Sequence, residues 1–173
     1  MKSVLSSTTS IAVKASLLLT ALLAVSAYAA TTGSSAMSVS ADVVASCVVS
    51  STAAVTLTGQ SFASVGTGTG GVTVQCTNGT PYDIQMDAGT GAGASVASRV
   101  LTGVTTPLNT MTYSLYQDAA NTQLWGTTVG TDTLRATGTG TPVLTPVYMK
   151  ILTGLGTAPA QNYADTVNVT VTY

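Results

Sequence analysis

The stretch from Tyr163 to Tyr173, which reads YADTVNVTVTY, decides the fold of this chain. Apolar residues occupy every second position, and a period of two places one set of side chains on a buried sheet face. That set is Val167, Val169, Val171 and Tyr173. The sequence ends at this strand, and an unpaired apolar strand edge is a template for another chain. We therefore expect a strand from another copy of the protein to cover it.

A second one-sided strand pattern lies near the other end of the chain. Met37, Val39, Ala41 and Val43 alternate with Ser38, Ser40, Asp42 and Val44. No hairpin turn separates this pattern from Cys47. Two interpretations remain open, because periodicity alone does not separate them. The segment is either a free N-terminal arm that continues into the first core strand, or a long first strand folded into its own sheet.

The first 29 residues are typical of a secretory signal peptide. Lys2 and Lys14 precede an apolar run over 15–25, and Ala27-Tyr28-Ala29 is a small-x-small cleavage site. The apolar run is too short for a comfortable membrane span of about 20 residues. We expect export, with a mature chain that begins at Ala30 and forms a single domain of ordinary size.

The composition of the mature chain excludes several classes of protein. Three cationic residues against six aspartates give a net charge of −3, so there is no basic patch for nucleic acid or anionic lipid. The abundant Thr, Val, Gly and Ala indicate strands joined by turns rather than helices. The chain has no His, and its mature part has no Glu, so we expect no metal site and no cofactor.

Cys47 and Cys76 are the only cysteines. In an exported protein, an isolated pair is most simply one disulfide, and the alternative is two buried free thiols.

About seven short strands follow from the remaining patterns, which is typical of an immunoglobulin-like sandwich with one strand missing. The run from Gly66 to Gly71 matches GxGxxG but precedes a strand, so it predicts a flexible turn rather than a phosphate site. Asp83 and Asp87 share one face of the strand Tyr82 to Asp87, which we interpret as a solvated outer face rather than a catalytic carboxylate pair. Pro142 and Pro146 predict an edge position or a bulge for the strand over 143–151.

Five features follow one another along the mature chain: Cys47, CTNGTPY over 76–82, YSLYQDAA over 113–120, LWG over 124–126, and YADT over 163–166 running to Tyr173. In this order they resemble the spore coat protein U family, which includes the pilins of the archaic chaperone–usher pathway. The match covers nearly all of the mature chain. Residues 56–62 lack the Phe-Gly motif that the family tends to show.

The resemblance implies an all-β fold: an incomplete immunoglobulin-like β-sandwich that lacks its last strand and is completed by donor-strand exchange. Residues 1–29 would be the signal peptide, 30–45 a donor-strand extension running into the first strand, and 46–173 the pilin domain. A periplasmic chaperone would lend a strand to the groove beside Val167, Val169, Val171 and Tyr173. An outer-membrane usher would then replace it with the arm of the next copy, through the donor residues Met37, Val39, Ala41 and Val43.

The function that follows is a structural one. We expect a subunit of a cell-surface pilus for adhesion and biofilm formation, and a single domain favours the major rod over a tip adhesin. The alternative is an exported coat-type or carbohydrate-binding module, with Trp125 and Tyr116 as candidate contacts. An exported hydrolase is poorly supported, because the chain offers no His and only Lys150 as an amine base.

Overall fold

The computed structural model describes residues 31–58, 60 and 66–173. The predicted signal peptide lies outside these residues. The chain divides into two units, Met1–Ser40 and Ala41–Tyr173. In the first unit, the described residues 31–40 are exposed and form no strand. The described residues of the second unit form nine strands and no helix, so the prediction of an all-β fold is confirmed.

The strands form two sheets. Their bounds in chain order are β1 Cys47–Ala53, β2 Thr67–Cys76, β3 Pro81–Met86, β4 Arg99–Gly103, β5 Thr110–Tyr116, β6 Leu134–Thr137, β7 Val143–Thr153, β8 Tyr163–Ala164 and β9 Val169–Thr172. One sheet has the order β1-β2-β7-β5-β4-β8 and the other the order β6-β3-β9, with every pair antiparallel.

The core lies between the two sheets, as the predicted sandwich requires. It is formed by the inward-facing side chains of both sheets together with Trp125, and the largest are Trp125, Tyr82 and Tyr113. The indole nitrogen of Trp125 donates to the carbonyl of Ile84 at 2.9 Å, which satisfies its one polar group inside an apolar core.

The prediction of a turn at Gly66 to Gly71 is wrong. All but the first of these residues lie in β2, which pairs with β1 on one side and β7 on the other. The glycines accommodate the chain that follows β1. A Cβ at Gly68 would lie 2.9 Å from both Val55 and Leu57, and one at Gly70 would lie 2.6 Å from the carbonyl oxygen of Ala53. Glycine therefore marks a close approach here rather than a reversal of the chain.

The last predicted strand is divided between the two sheets. Its first two residues, β8, pair with β4, whereas β9 pairs with β3 in the other sheet. Residues 165–168 carry the chain from one sheet to the other. Burial nevertheless alternates along the whole stretch, so the predicted inward face from Val167 to Val171 is found.

Two further predictions need correction. Pro146 lies on a strand in the middle of the six-stranded sheet, but at that point β7 is paired with β2 alone, because its pairing with β5 begins only at Tyr148. The missing N–H therefore costs no ladder bond to β5. Asp83 is not solvated: it is 7% exposed and accepts a hydrogen bond from the hydroxyl of Thr133 at 2.9 Å.

Candidate functional site

Two strands at one side of the sandwich have a single partner each. Among the described residues, β9 pairs only with β3 and β1 pairs only with β2. The two approach each other across the opening between the sheets. The main-chain N–H and C=O groups on the outer edge of β9 therefore have no strand beside them in the described part of the chain, and such groups favour the addition of a further strand.

A cavity of about 340 Å³ opens between these two strands. We call it the groove. Its floor is formed by side chains of the core, namely Val72, Met86, Tyr113, Leu115, Val147 and Met149. Its walls are formed by residues 52–55 on one side and by Asp165, Thr166, Val167 and Val169 on the other. The core thus reaches the surface along a slot that has an apolar floor and both polar and apolar groups in its walls.

The predicted acceptor residues are only partly brought together. Val167 and Val169 line the groove. Val171 is half-buried and packs against the core, but it is outside the lining of the cavity. Tyr173 is 59% exposed and does not line the groove. The open part of the slot therefore lies beside the beginning of β9 and the segment that precedes it.

One end of the groove is polar. The carboxylate of Asp165 accepts hydrogen bonds from the amide and the hydroxyl of Thr90, at 2.8 and 2.9 Å, and from the amide of Thr166 at 2.8 Å. The hydroxyl of Tyr113 donates to its other oxygen at 2.8 Å. We call Asp165, Tyr113 and Thr90 the polar end of the groove. Burial, and then the hydrogen bond to Asp165, raises the pKa of Tyr113 well above its ordinary value, so the phenol stays protonated.

A second carboxylate, that of Asp87, connects the end of β3 to the segment that forms one wall of the groove. Asp87 accepts hydrogen bonds from the amide of Gly89 and from both the amide and the side chain of Asn168, at 2.9, 2.9 and 2.6 Å. Burial raises the pKa of Asp87, but the bonds from Asn168 and Gly89 together outweigh it and leave the pKa below its ordinary value. Both carboxylates thus hold the crossing segment 165–168 in place.

Arg99 lies behind this end of the groove and is fully buried. Its guanidinium donates four hydrogen bonds, all to main-chain carbonyls, those of Met86, Asp87, Val96 and Trp125, at 2.8 to 3.0 Å. Burial lowers the pKa of Arg99, while the carboxylates of Asp87 and Asp165 act in the opposite direction. This cation organises the loop after β3 rather than facing a ligand.

The predicted donor residues lie outside every strand. Met37, Val39 and Val43 are 84%, 83% and 79% exposed, and Ala41 is exposed as well. A partner that buries large apolar side chains with this exposure lowers the free energy of the system.

The predicted disulfide is present and marks the start of β1. Cys47 and Cys76 are bonded at 2.03 Å and pair across β1 and β2. Just beyond them, Thr77 donates from its amide to the carbonyl of Ser46 at 2.9 Å, and from its hydroxyl to the carbonyl of Val44 at 3.2 Å. Residues 44–46 therefore continue the line of β1 past the end of the sheet.

Nothing in the described residues forms the other sites that the sequence offered. Trp125 is fully buried and Tyr116 is 9% exposed, so neither presents a flat face to a sugar. No group of three or more His, Cys, Asp or Glu in the described residues is placed to hold a metal ion. Within the same residues, no helix is long and apolar enough to cross a membrane.

Sequence reasoning missed the polar end of the groove. Asp165 lies on the same inward-facing side of the strand pattern as Val167 and Val169. A charged residue in this otherwise apolar row was the signal that could have indicated a polar site in the groove. Its partners Thr90 and Tyr113 lie 75 and 52 positions away, and no local pattern connects them.

The comparisons with known proteins agree with this architecture. The Spore Coat Protein U domain family matches residues 33–170. No curated protein matches the chain. One similar solved structure is the crystal structure of the CsuC–CsuE chaperone–tip adhesion subunit pre-assembly complex, from the archaic chaperone–usher Csu pili of Acinetobacter baumannii. The TM-score is 0.54 at 22% identity, over 76% of this chain and 40% of that chain, so this chain spans less than half of its relative and the likeness is one of fold.

Proposed function

The chain belongs to the Spore Coat Protein U domain family, and from this we propose that it is a structural subunit of a chaperone–usher surface pilus that polymerises by donor-strand complementation. One observation carries the proposal: the groove lies open between two strands that have one partner each, while an apolar alternating segment elsewhere in the chain is left exposed. Addition of the exposed segment as a strand would fill the groove and bury the apolar side chains, because main-chain hydrogen bonds supply affinity and alternate side chains fill the slot.

The gain in free energy is large enough to hold a fibre together. Met37, Val39 and Val43 are each about four-fifths exposed in the free chain. Full burial of such a side chain contributes roughly 1.5 to 3 kcal/mol, so the three together contribute roughly 5 to 9 kcal/mol before any ladder hydrogen bond forms.

The donor segment would enter the groove of a second copy rather than its own. The hydrogen bonds of Thr77 direct residues 44–46 along the line of β1, beyond the end of the sheet. To reach its own groove the chain would have to reverse, whereas the alternating pattern over 37–43 is that of an extended strand. A contact of this head-to-tail kind does not close, so it propagates into a fibre.

The partners follow from this mechanism. An open groove with an exposed core would need a periplasmic chaperone before assembly, an outer-membrane usher to exchange the strands, and further copies of the same chain. The similar structure is a complex of a chaperone with a tip adhesion subunit. Within this proposal the chain is a rod subunit of a fibre for adhesion and biofilm formation, joined to its neighbours through the groove and the donor segment.

The alternatives have less support. A carbohydrate-binding module would need exposed aromatic faces, and the two candidate aromatic residues are buried. The family is one of structural subunits and not of enzymes.

The test is electrophoresis of surface-sheared material in SDS, unboiled beside boiled, from cells that express the chain with its chaperone and usher. The wild type should give a ladder that collapses to one band on boiling. Val39→Asp should abolish the ladder, because it places a charge in the groove. Ser38→Asp is the matched control, since its side chain has the opposite phase, and the ladder should persist. A ladder from Val39→Asp equal to that of the wild type would refute the proposed donor segment.

A further inference from the structure

A single charged residue interrupts the apolar row of the groove wall. Burial alternates from Tyr163 to Val171, and the inward-facing positions are Tyr163, Asp165, Val167, Val169 and Val171. Asp165 is the only one of these with a charged side chain, and it lines the groove beside Val167. A donor strand that lies against β9 must therefore end its apolar contacts where this carboxylate begins.

The carboxylate is fixed in position. Its Oδ1 accepts one bond from Thr166 and two from Thr90, whereas its Oδ2 accepts a single bond from Tyr113, so about one acceptor site of the ionised carboxylate is left at Oδ2. The carboxylate also packs against Gly89, where an added Cβ would collide with both carboxylate oxygens. The side chain is therefore held against an incoming strand, and its remaining acceptor site needs water or a polar group of that strand.

An apolar side chain placed against this group would remove water from a charge without any compensating bond, which is unfavourable. A small or polar side chain at the same place would leave the charge hydrated. The polar end of the groove therefore favours donor strands in which a small or polar residue, rather than an apolar one, follows the donor's apolar row.

We propose that Asp165 is the register stop of the groove: it fixes how far a donor strand can slide by excluding an apolar side chain at the position next to the donor's apolar row. The inference rests on the proposed function. Within that function, Asp165 determines which strand, and which register, the groove accepts.

The chain's own donor segment has the pattern that such a stop requires. Its inward phase contains the apolar row from Met37 to Val43, and the next residues in the same phase are Ser35 on one side and Ala45 on the other. Both are small. Whichever direction the donor runs along β9, a small side chain therefore comes to lie at Asp165. A slip by one residue would instead turn Asp42 and the serines into the groove.

The experiment measures the dissociation of labelled donor peptides from the full mature chain, kept monomeric by Val39→Asp in its own arm. The native peptide covers residues 35–45. Two variants extend the apolar row at one end or the other, by Ser35→Val or by Ala45→Val. One of the two extended peptides should dissociate about tenfold faster than the native peptide, because it presses a valine against the carboxylate.

Asp165→Asn then tests the cause. The amide keeps the shape of the side chain but carries no charge, so the difference between the extended and the native peptide should fall to about threefold or less. Asp118→Asn, in an exposed loop, is the matched control and should leave the difference unchanged. The ratio between two peptides on one protein is insensitive to a general loss of stability, which would change both rates alike.

The outcomes separate this inference from the proposed function. If the monomeric Val39→Asp chain, with Asp165 intact, binds the native peptide and holds both extended peptides equally well, the register stop is refuted and the proposed function is unaffected. If the discrimination persists undiminished in Asp165→Asn, the charge is not its cause and the inference is again refuted. If the native peptide does not bind at all, the proposed function fails and this inference fails with it.

Discussion

Loss of the Cys47–Cys76 disulfide should remove a large part of the stability of this domain. The bond links residues 29 positions apart and lies at the first paired position of β1 and β2. In the chain-entropy model, a loop of this length stabilises the folded state by roughly 3.5 kcal/mol. Folded domains are typically stable by about 5 to 15 kcal/mol, and this one has an open groove along its core.

The position of the bond adds to its importance. Residues after Val49 in β1 are exposed, and β2 is the one strand that pairs with β1 in the described part of the chain. The perturbation is the double variant Cys47→Ala with Cys76→Ala, which leaves no single reactive thiol. Without the link, β1 and the donor segment beyond it should separate from β2 more readily than any internal strand.

The assay is urea unfolding of the monomeric chain, followed by far-UV circular dichroism. At a slope of about 1.5 kcal/mol/M, a loss of about 3.5 kcal/mol lowers the midpoint by about 2 M. A reductant should lower the midpoint of the wild type to a similar value and leave that of the double variant unchanged. A decrease of less than about 1 kcal/mol in the free energy of unfolding would refute the reasoning, since the loop-closure contribution would then be absent.

Three further predictions concern the folded domain. The pKa of Tyr113 is raised from 10.0, so the unfolded chain loses this proton at a lower pH than the folded one, and the free energy of unfolding should fall as the pH rises above about 10. Tyr113→Phe should reduce the slope of the unfolding free energy against pH, measured by urea titrations from pH 8 to 11.5. An unchanged slope would contradict the assignment. Trp125→Ala should cost about 3 to 5 kcal/mol of unfolding free energy, because it empties the centre of the core, and a loss below about 1 kcal/mol would show that the site collapses freely. Gly70→Ala should lower the thermal midpoint, since its Cβ meets the Ala53 carbonyl at 2.6 Å, whereas Gly33→Ala, in open space, should leave it unchanged; equal midpoints would show that the chain after β1 moves aside.

Local patterns in the sequence predicted much of the fold. Alternation along 163–173 predicted an inward face, and burial alternates there as expected. Met111, Tyr113 and Leu115 alternate with Thr112 and Ser114 in the same way, and these residues lie in β5. The strand β6 was missed, because its four residues carry too short a pattern to stand out from the turn beside them.

The glycine-rich run shows where local rules fail. Glycine is typical of turns, because it adopts backbone conformations that other residues avoid. In β2 it is required for another reason, namely the close approach of Val55, Leu57 and the Ala53 carbonyl. That approach is made by residues brought together by the pairing of β1 with β2, so composition alone could not reveal it.

By itself, the sequence determined the strand periodicity, the pair of cysteines and the apolar alternation over 37–43, because each depends on side chains that are neighbours in the chain or share one compartment. Only the tertiary structure decided that residues 165–168 cross between the sheets, that β1 and β9 have one partner each beside the groove, and that a carboxylate closes one end of it. The reason is physical: an open edge depends on which strands pair, and the position of Asp165 depends on donors that lie 52 and 75 residues away and meet it only when the two sheets pack together.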